Sequence, residues 1–165
     1  MPDNLRIEQV DARAEPVLHN LVNHYLYDMA EWFEFDSEPD ATYTFDLEPF
    51  WRTDHAVYLA YVGELPVGFA LLAPGERFIG KPGWDLEEFF VLRRYRRSHI
   101  GHELAAYVWR AHPGEWIVRV FLGNRTALPF WHRCIKTFAG GRYQQERVVR
   151  YERHWDHLRF SSPAQ

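Results

Sequence analysis

The chain has 165 residues, 47% of them hydrophobic, and a formal net charge of −4. That length suits one domain with a well-covered core, the apolar content excludes a disordered chain, and the negative balance excludes a protein that holds nucleic acid by bulk charge. No apolar run reaches the length of a membrane span, Met1-Pro2-Asp3-Asn4 lacks a basic-then-apolar leader, and the single cysteine, Cys134, cannot close an internal disulfide, so no membrane partner and a cytoplasmic location are expected.

Residues 5–10 alternate apolar and polar and read as a short strand. From Glu15 onward, Val17, Leu18, Leu21, Val22, Tyr25, Leu26 and Met29 recur at helical spacing, the mark of an amphipathic helix. Residues 31–50 are acidic, aromatic and irregular, with Pro39 and Pro49 as breakers, and read as a loop or a short helix pair. Trp32, Phe33, Phe35, Tyr43, Phe45, Phe50 and Trp51 fit either packing over a core edge or the wall of a substrate pocket. Residues 56–62 read as a strand, Gly63-Glu64 as a tight turn and residues 66–72 as the hairpin partner. A Gly/Pro-rich loop is predicted over 73–83, a strand over 84–92 and a helix over 99–111 that ends at Pro113-Gly114. A strand over 116–122, a helix over 124–138 closed by Gly140-Gly141, a strand over 143–151 and a short strand over 155–160 complete the chain. Strands that each precede a helix require some parallel pairing, while the hairpin is antiparallel. The expected fold class is therefore α/β (α+β), a mixed sheet covered by helices, in a single domain over residues 1–165.

Chemistry concentrates in residues 87–101. An apolar run, Phe89-Phe90-Val91-Leu92, leads into Arg93-Arg94-Tyr95-Arg96-Arg97, then Ser98-His99-Ile100-Gly101 and an amphipathic helix. Strand, tight turn and helix start place backbone N–H groups and a positive helix end around an anion. Arginine's planar fork suits phosphate, and only Lys81 and Lys136 are lysines among 19 lysines and arginines.

Three marks in order resemble the GNAT N-acetyltransferase family. Val67-Gly68-Phe69-Ala70 looks like its central hairpin strand. Arg96-x-x-His99-x-Gly101 is similar to its acyl-CoA signature, Gln/Arg-x-x-Gly-x-Gly/Ala, with His99 in place of the first glycine. Asn124-x-x-Ala127-x-x-Phe130-Trp131 resembles its Asn-x-x-Ala-x-x-Phe-Tyr, with Trp131 in place of the tyrosine. The resemblance implies a GNAT-like fold with a sheet splayed at an acyl-CoA cleft, and acetyl-CoA as co-substrate. It implies cofactor binding by Phe90, Val91, Leu92, Arg96, Arg97, Ser98, His99, Ile100, Gly101, His102, Asn124, Phe130 and Trp131. It also implies a catalytic carboxylate on the strand before the signature, where Glu87 and Glu88 are named jointly with Asp85 behind them, and the Val91 N–H as oxyanion donor. Ideal alternation puts Asp85 and Glu87 on the face of Val91 and Glu88 on the other; a bulge would swap that parity.

Acetyl transfer to a primary amine of a small molecule or peptide needs a base for the amine proton, oxyanion stabilisation and a proton for the thiolate. In the family a tyrosine gives that last proton, whereas the indole N–H of Trp131 is no useful acid. Tyr95, Tyr143 or water is then the substitute, and a module that binds acyl-CoA without transfer is the alternative function. Asp28, Glu31, Glu34, Asp36, Glu38, Asp40 and Asp46 fit either an ordinary acidic surface or a wall for a cationic amine. His99-Ile100-Gly101-His102 also looks like the ATP motif of nucleotidylyltransferases, a distant third reading. His99 and His102 with Glu103 have metal-ligand spacing without a third motif-like partner, so no metal is expected. The C-terminal strands, with Trp155 and Phe160, offer a surface for a homodimer.

Overall fold

The computed structural model describes residues 4–164. Among them lie seven strands, β1 (Leu5–Val10), β2 (Ala56–Val62), β3 (Leu65–Pro74), β4 (Trp84–Val91), β5 (Gly114–Phe121), β6 (Gln144–Arg150) and β7 (Arg153–Ser162), and four helices, α1 (Glu15–Phe33), α2 (Glu76–Ile79), α3 (Ile100–Ala111) and α4 (Ala127–Phe138). The strands hydrogen-bond in the order β1-β2-β3-β4-β5-β7-β6. β4 and β5 pair in parallel, while β1–β2, β5–β7 and β6–β7 are antiparallel. The sheet is thus mixed, as the order of strands and helices required. The chain divides into two compact units. The first holds the chain up to Leu71 together with Glu88–Leu104; the second holds Leu72–Glu87 and the chain from Ala105 onward. β3 and β4 contribute one end to each.

In the first unit, α1 starts with Glu15 and Pro16, a charge and a ring that a helix N-terminus accepts, and stops where Glu34 turns left-handed and donates its N–H to the Ala30 carbonyl. Its stripe Leu18, Leu21, Val22 and Leu26 packs on Val57 and Leu59 of β2, Phe69 and Leu71 of β3 and Phe90 of β4. Residues 34–47 form no regular element and Glu48–Trp51 a 3-10 turn, so the loop reading of this segment holds. Leu47 and Phe50 enter the core, and Tyr43, Phe45 and Trp51 pack against it. Those aromatics are packing residues: the Tyr43 N–H donates to Asn23 Oδ1 at 2.7 Å and the Trp51 indole N–H to Glu15 at 2.6 Å.

In the second unit, α3 contributes Trp109, fully buried, with ring centroids 5.1 Å from Phe138 of α4 and 4.9 Å from Phe160 of β7. The buried face of α4 is Trp131, Cys134 and Ile135. Burial pushes the Cys134 thiol up to about 12.

Several boundaries differ from the sequence expectation for local reasons. The predicted loop over 73–83 contains the end of β3 and the helical turn α2. Gly75 donates to the Gly83 carbonyl at 2.7 Å, and α2 is closed by Gly80 at φ 80°. A side chain at Gly83 would start 2.6 Å from the Glu115 carbonyl, so this glycine marks a close approach rather than an open loop. α4 begins at Ala127, not at Asn124, because Asn124 Oδ1 accepts from the Ala127 N–H at 3.2 Å and turns the chain before the helix. β7 runs to Ser162, and its hairpin with β6 turns through Tyr151 and Glu152, both at positive φ as a two-residue hairpin turn demands.

Candidate active site

The signature turn follows β4 in the first unit. Arg93–Tyr95 make one 3-10 turn, and Arg97 and His99 then both adopt φ 65°. A turn of this kind between a strand and a helix is the setting in which backbone N–H groups can gather around an anion. His99 takes the backbone shape that glycine would take, and its carbonyl accepts the first helical bond of α3, from Glu103 at 2.9 Å. The N–H groups of Ile100, Gly101 and His102 precede that first bond and have no intrahelical acceptor by geometry. Ser98 does not present a loose hydroxyl here, since it donates to the Tyr95 carbonyl and stiffens the turn.

The end of β4 is fixed by its neighbour β3. The Leu92 N–H donates to the Val67 carbonyl at 2.9 Å. An ideal Cβ on Gly68 would lie 2.6 Å from the Phe90 carbonyl oxygen, so Gly68 admits the close approach of these strands. With the Phe90 carbonyl and the Leu92 N–H turned toward β3, strand geometry turns the intervening Val91 N–H and carbonyl away from it.

Two carboxylates of this unit are tied to the same region. Glu88 Oε2 accepts from the hydroxyl of Tyr25 on α1, and Tyr25 packs edge-on against Phe69 and Phe90 at 5.7 and 5.9 Å. Asp28, one turn further along α1, is buried. Its Oδ1 accepts from Arg93 Nη2 at 2.6 Å and its Oδ2 from Arg96 Nη2 at 2.5 Å. Burial raises this carboxyl, but the Arg96 and Arg93 guanidiniums outweigh burial and hold it below the ordinary range. Asp28 is therefore not part of an acidic wall; Glu31, Glu34, Asp36, Glu38, Asp40 and Asp46 are exposed and remain available for one. The sequence offers Asp28 only as a carboxylate of such a wall, not as a partner of the arginines, and does not offer Tyr25 as a site residue. The available signal was periodicity: Asp28 stands three residues after Tyr25 and seven after Leu21, a charge on the buried stripe of its helix.

The remaining sequence candidates lie in the second unit. Glu87 is half-buried on β4. Asp85 is buried, with Oδ2 receiving Arg119 Nε at 2.9 Å and Nη2 at 2.8 Å; burial pushes its carboxyl up to about 6 in spite of that arginine. The parallel pairing of β4 with β5 runs through Trp84↔Trp116 and Asp85↔Ile117. Trp131 is buried against Phe130 and Trp109, at 4.8 and 6.3 Å between centroids. The Tyr143 hydroxyl lies 2.6 Å from His132 Nδ1. Among the described residues no group of three His, Cys, Asp or Glu side chains is placed to hold a metal ion, and no helix is long and apolar enough to cross a membrane.

The mixed sheet and the left-handed turn before α3 agree with one family of transferases. The profile of the Acetyltransferase (GNAT) family matches residues 24–134, and the chain belongs to that family. Solved structures share the fold. An aminoglycoside acetyltransferase from an uncultured soil metagenomic sample, in complex with sisomicin, is 21% identical over 90% of this chain and 95% of that one, with a TM-score of 0.66. An aminoglycoside 6'-N-acetyltransferase complexed with coenzyme A is 14% identical over 97% and 98%, with a TM-score of 0.67. Spermidine N-acetyltransferase from Vibrio cholerae, in complex with CoA and spermine, is 12% identical over 96% of each chain, with a TM-score of 0.65. No curated protein sequence matches the chain.

Proposed function

We propose that the protein is an acetyl-CoA-dependent N-acetyltransferase that acts, as one domain, on a primary amine of a polycationic small molecule or peptide. The observation that carries this reading is the turn of Arg97 and His99, both left-handed, opening onto the start of α3. That turn fits a pyrophosphate, which the N–H groups of residues 97–102 would hold at roughly 1.5–3 kcal/mol per bond to a charged group. Bound acetyl-CoA supplies the thioester. Glu88, held by Tyr25, takes the proton that the amine loses as its nitrogen bonds to the thioester carbon. The Val91 N–H faces the oxygen that gains charge, and the C–S bond breaks to release CoA thiolate. A thiolate of pKa near ~8.5 leaves with modest help, so water suffices where Trp131 replaces an acidic tyrosine.

The polycationic acceptor is supported by the exposed carboxylates of residues 31–46, in the same unit as Glu88, and by relatives of the same fold that were solved with spermine and sisomicin. One observation favours binding without transfer: Trp131 is packed into the second unit's core and gives no acid. Calorimetry with acetyl-CoA, followed by CoA release with a panel of polyamines, aminoglycosides and neutral amines, tests the proposal. Binding with turnover of polycations is the expected result. Turnover of neutral or acidic amines alone overturns the acceptor class, binding with no turnover across the panel supports the binding module, and no binding overturns the cofactor reading.

A further inference from the structure

Arg96 stands at the first position of the signature, yet its guanidinium points back into the protein. Its Nε donates to the Val91 carbonyl at 2.8 Å, its Nη2 donates to Asp28, and its Cζ lies 5.4 Å from the centroid of the Phe90 ring. The guanidinium is planar, so the direction of one of these bonds sets the direction of the other. Asp28 is itself tethered on both oxygens. Its second oxygen belongs to Arg93, its side chain is only 9% exposed, and α1 is anchored in the core by Leu21, Val22 and Leu26. A continuous chain of contacts therefore runs from the core through α1 and Asp28 to Arg96 and the Val91 carbonyl. The next amide, Leu92 N–H, is bound to Val67. The peptide between Val91 and Leu92 is held at both ends, and the peptide before it is pressed on Gly68.

We propose that Asp28 is a positioning residue for acetyl transfer: through Arg96 it fixes the Val91–Leu92 peptide, and with the preceding peptide set against Gly68 this leaves the Val91 N–H already aimed when negative charge develops on the thioester oxygen. A donor that needs no reorganisation at that moment is worth far more than one that must find its direction. This inference rests on the acetyl-transfer reading above. A helix-to-turn staple with no part in the reaction would contain the same ion pairs, but its loss would lower thermal stability and leave the balance between kcat and cofactor affinity unchanged.

The experiment compares wild type, Asp28→Asn, Asp28→Ala and Arg96→Ala by thermal melting, acetyl-CoA calorimetry and amine-dependent CoA release. Wild type that neither binds acetyl-CoA nor turns over removes the transfer reading, and this inference with it. With wild type active, kcat is expected to fall from wild type to Asp28→Asn to Asp28→Ala, the last by about 10-fold to 100-fold, short of or reaching the cost of deleting an oxyanion donor. The acetyl-CoA Kd of both Asp28 variants stays within about threefold. Guanidinium ion added to Arg96→Ala restores part of the rate, and restores none in the double variant Asp28→Ala/Arg96→Ala. Because Asp28→Asn keeps the size of the side chain, it remains readable even where Asp28→Ala melts below assay temperature. Wild-type kcat in both Asp28 variants, a loss carried wholly by Kd, or no rescue of Arg96→Ala by guanidinium overturns the proposal.

Discussion

Tyr25 and His99 show how much rests on single groups. Tyr25 packs its ring on Phe69 and Phe90 and donates a hydrogen bond to Glu88, and Tyr25→Phe separates the packing from the bond. The rings stay in contact while the donor to the carboxylate is lost, a bond worth roughly 1.5–3 kcal/mol when its acceptor is charged. On the proposed role of Glu88 as base, kcat/KM for the amine is expected to drop about 10-fold, with acetyl-CoA affinity unchanged by calorimetry. Loss of affinity with intact turnover would instead place Tyr25 at the cofactor. His99 adopts φ 65° with a full side chain, a conformation that costs an L-residue about 1–2 kcal/mol. His99→Gly removes that cost and adds the greater chain entropy of glycine, about 0.5–1 kcal/mol. The net expectation is a melting temperature equal to or slightly above wild type, with acetyl-CoA binding retained. A clear fall in melting temperature would show that the imidazole itself holds the turn.

At the scale of elements, the hairpin β3 and the end of β4 act as one piece. Gly68→Ala would set a methyl group 2.6 Å from the Phe90 carbonyl, and because the obstacle is backbone, the strands must part. Overpacking of this kind costs about 1–3 kcal/mol, and here the displaced peptides are those that carry Val91. Both the melting temperature and kcat are expected to fall in Gly68→Ala, whereas Gly63→Ala, with nothing within 4 Å of its Cβ position but a φ of 60° that strains an L-residue, lowers the melting temperature and leaves kcat in place. The elements were legible in the sequence where periodicity was strong. The stripe of α1, the alternation of β1 and the β2–β3 hairpin all stand within a few residues of their expected ends. Periodicity did not reach α2, a four-residue helix among glycines and prolines, nor the start of α4, where one asparagine side chain decides between turn and helix. Around the candidate site, the strand, turn and helix start were legible because the apolar run and clustered arginines leave a local trace, whereas the left-handed backbone of Arg97 and His99 was not, since neither is a glycine. The partners of that turn were not: Asp28 is 65 and 68 residues from the arginines it binds, and a contact at that separation exists only after folding.

For the molecule as a whole, two buried groups of the second unit, Asp85 and His157, pull stability between pH 4 and 6.5 in opposite directions. Burial keeps the Asp85 carboxyl at about 6 against its ordinary 3.8. Between those values the folded chain holds a proton that the unfolded chain has released, so this group favours folding at the acid end and its contribution is lost as pH rises toward 6. Burial, aided by Arg159 and Arg119, pushes His157 down to about 4 from 6.5. Here the unfolded chain takes up a proton that the folded chain refuses, so stability is lost as pH falls from 6.5 to 4. The two contributions largely offset each other in wild type. Thermal melts in this range should show stability rising with pH in Asp85→Asn and falling with pH in His157→Gln; parallel profiles for the two variants would contradict the assignment. The lowered carboxyls of Asp28 and Asp156 act below about pH 4, while burial also lowers His112, which adds to the direction of His157 in both variants.

The only sulfhydryl in the chain is sealed beneath α4 with its ionisation pushed up to about 12. A thiol-reactive dye, which attacks thiolate, therefore meets one reactive species during turnover, the CoA set free, and the folded protein contributes no background. The same property makes the protein its own clock. With substrates left out, the slow labelling of Cys134 measures how often α4 lifts from the second unit's core, a motion that can be timed without attaching any probe.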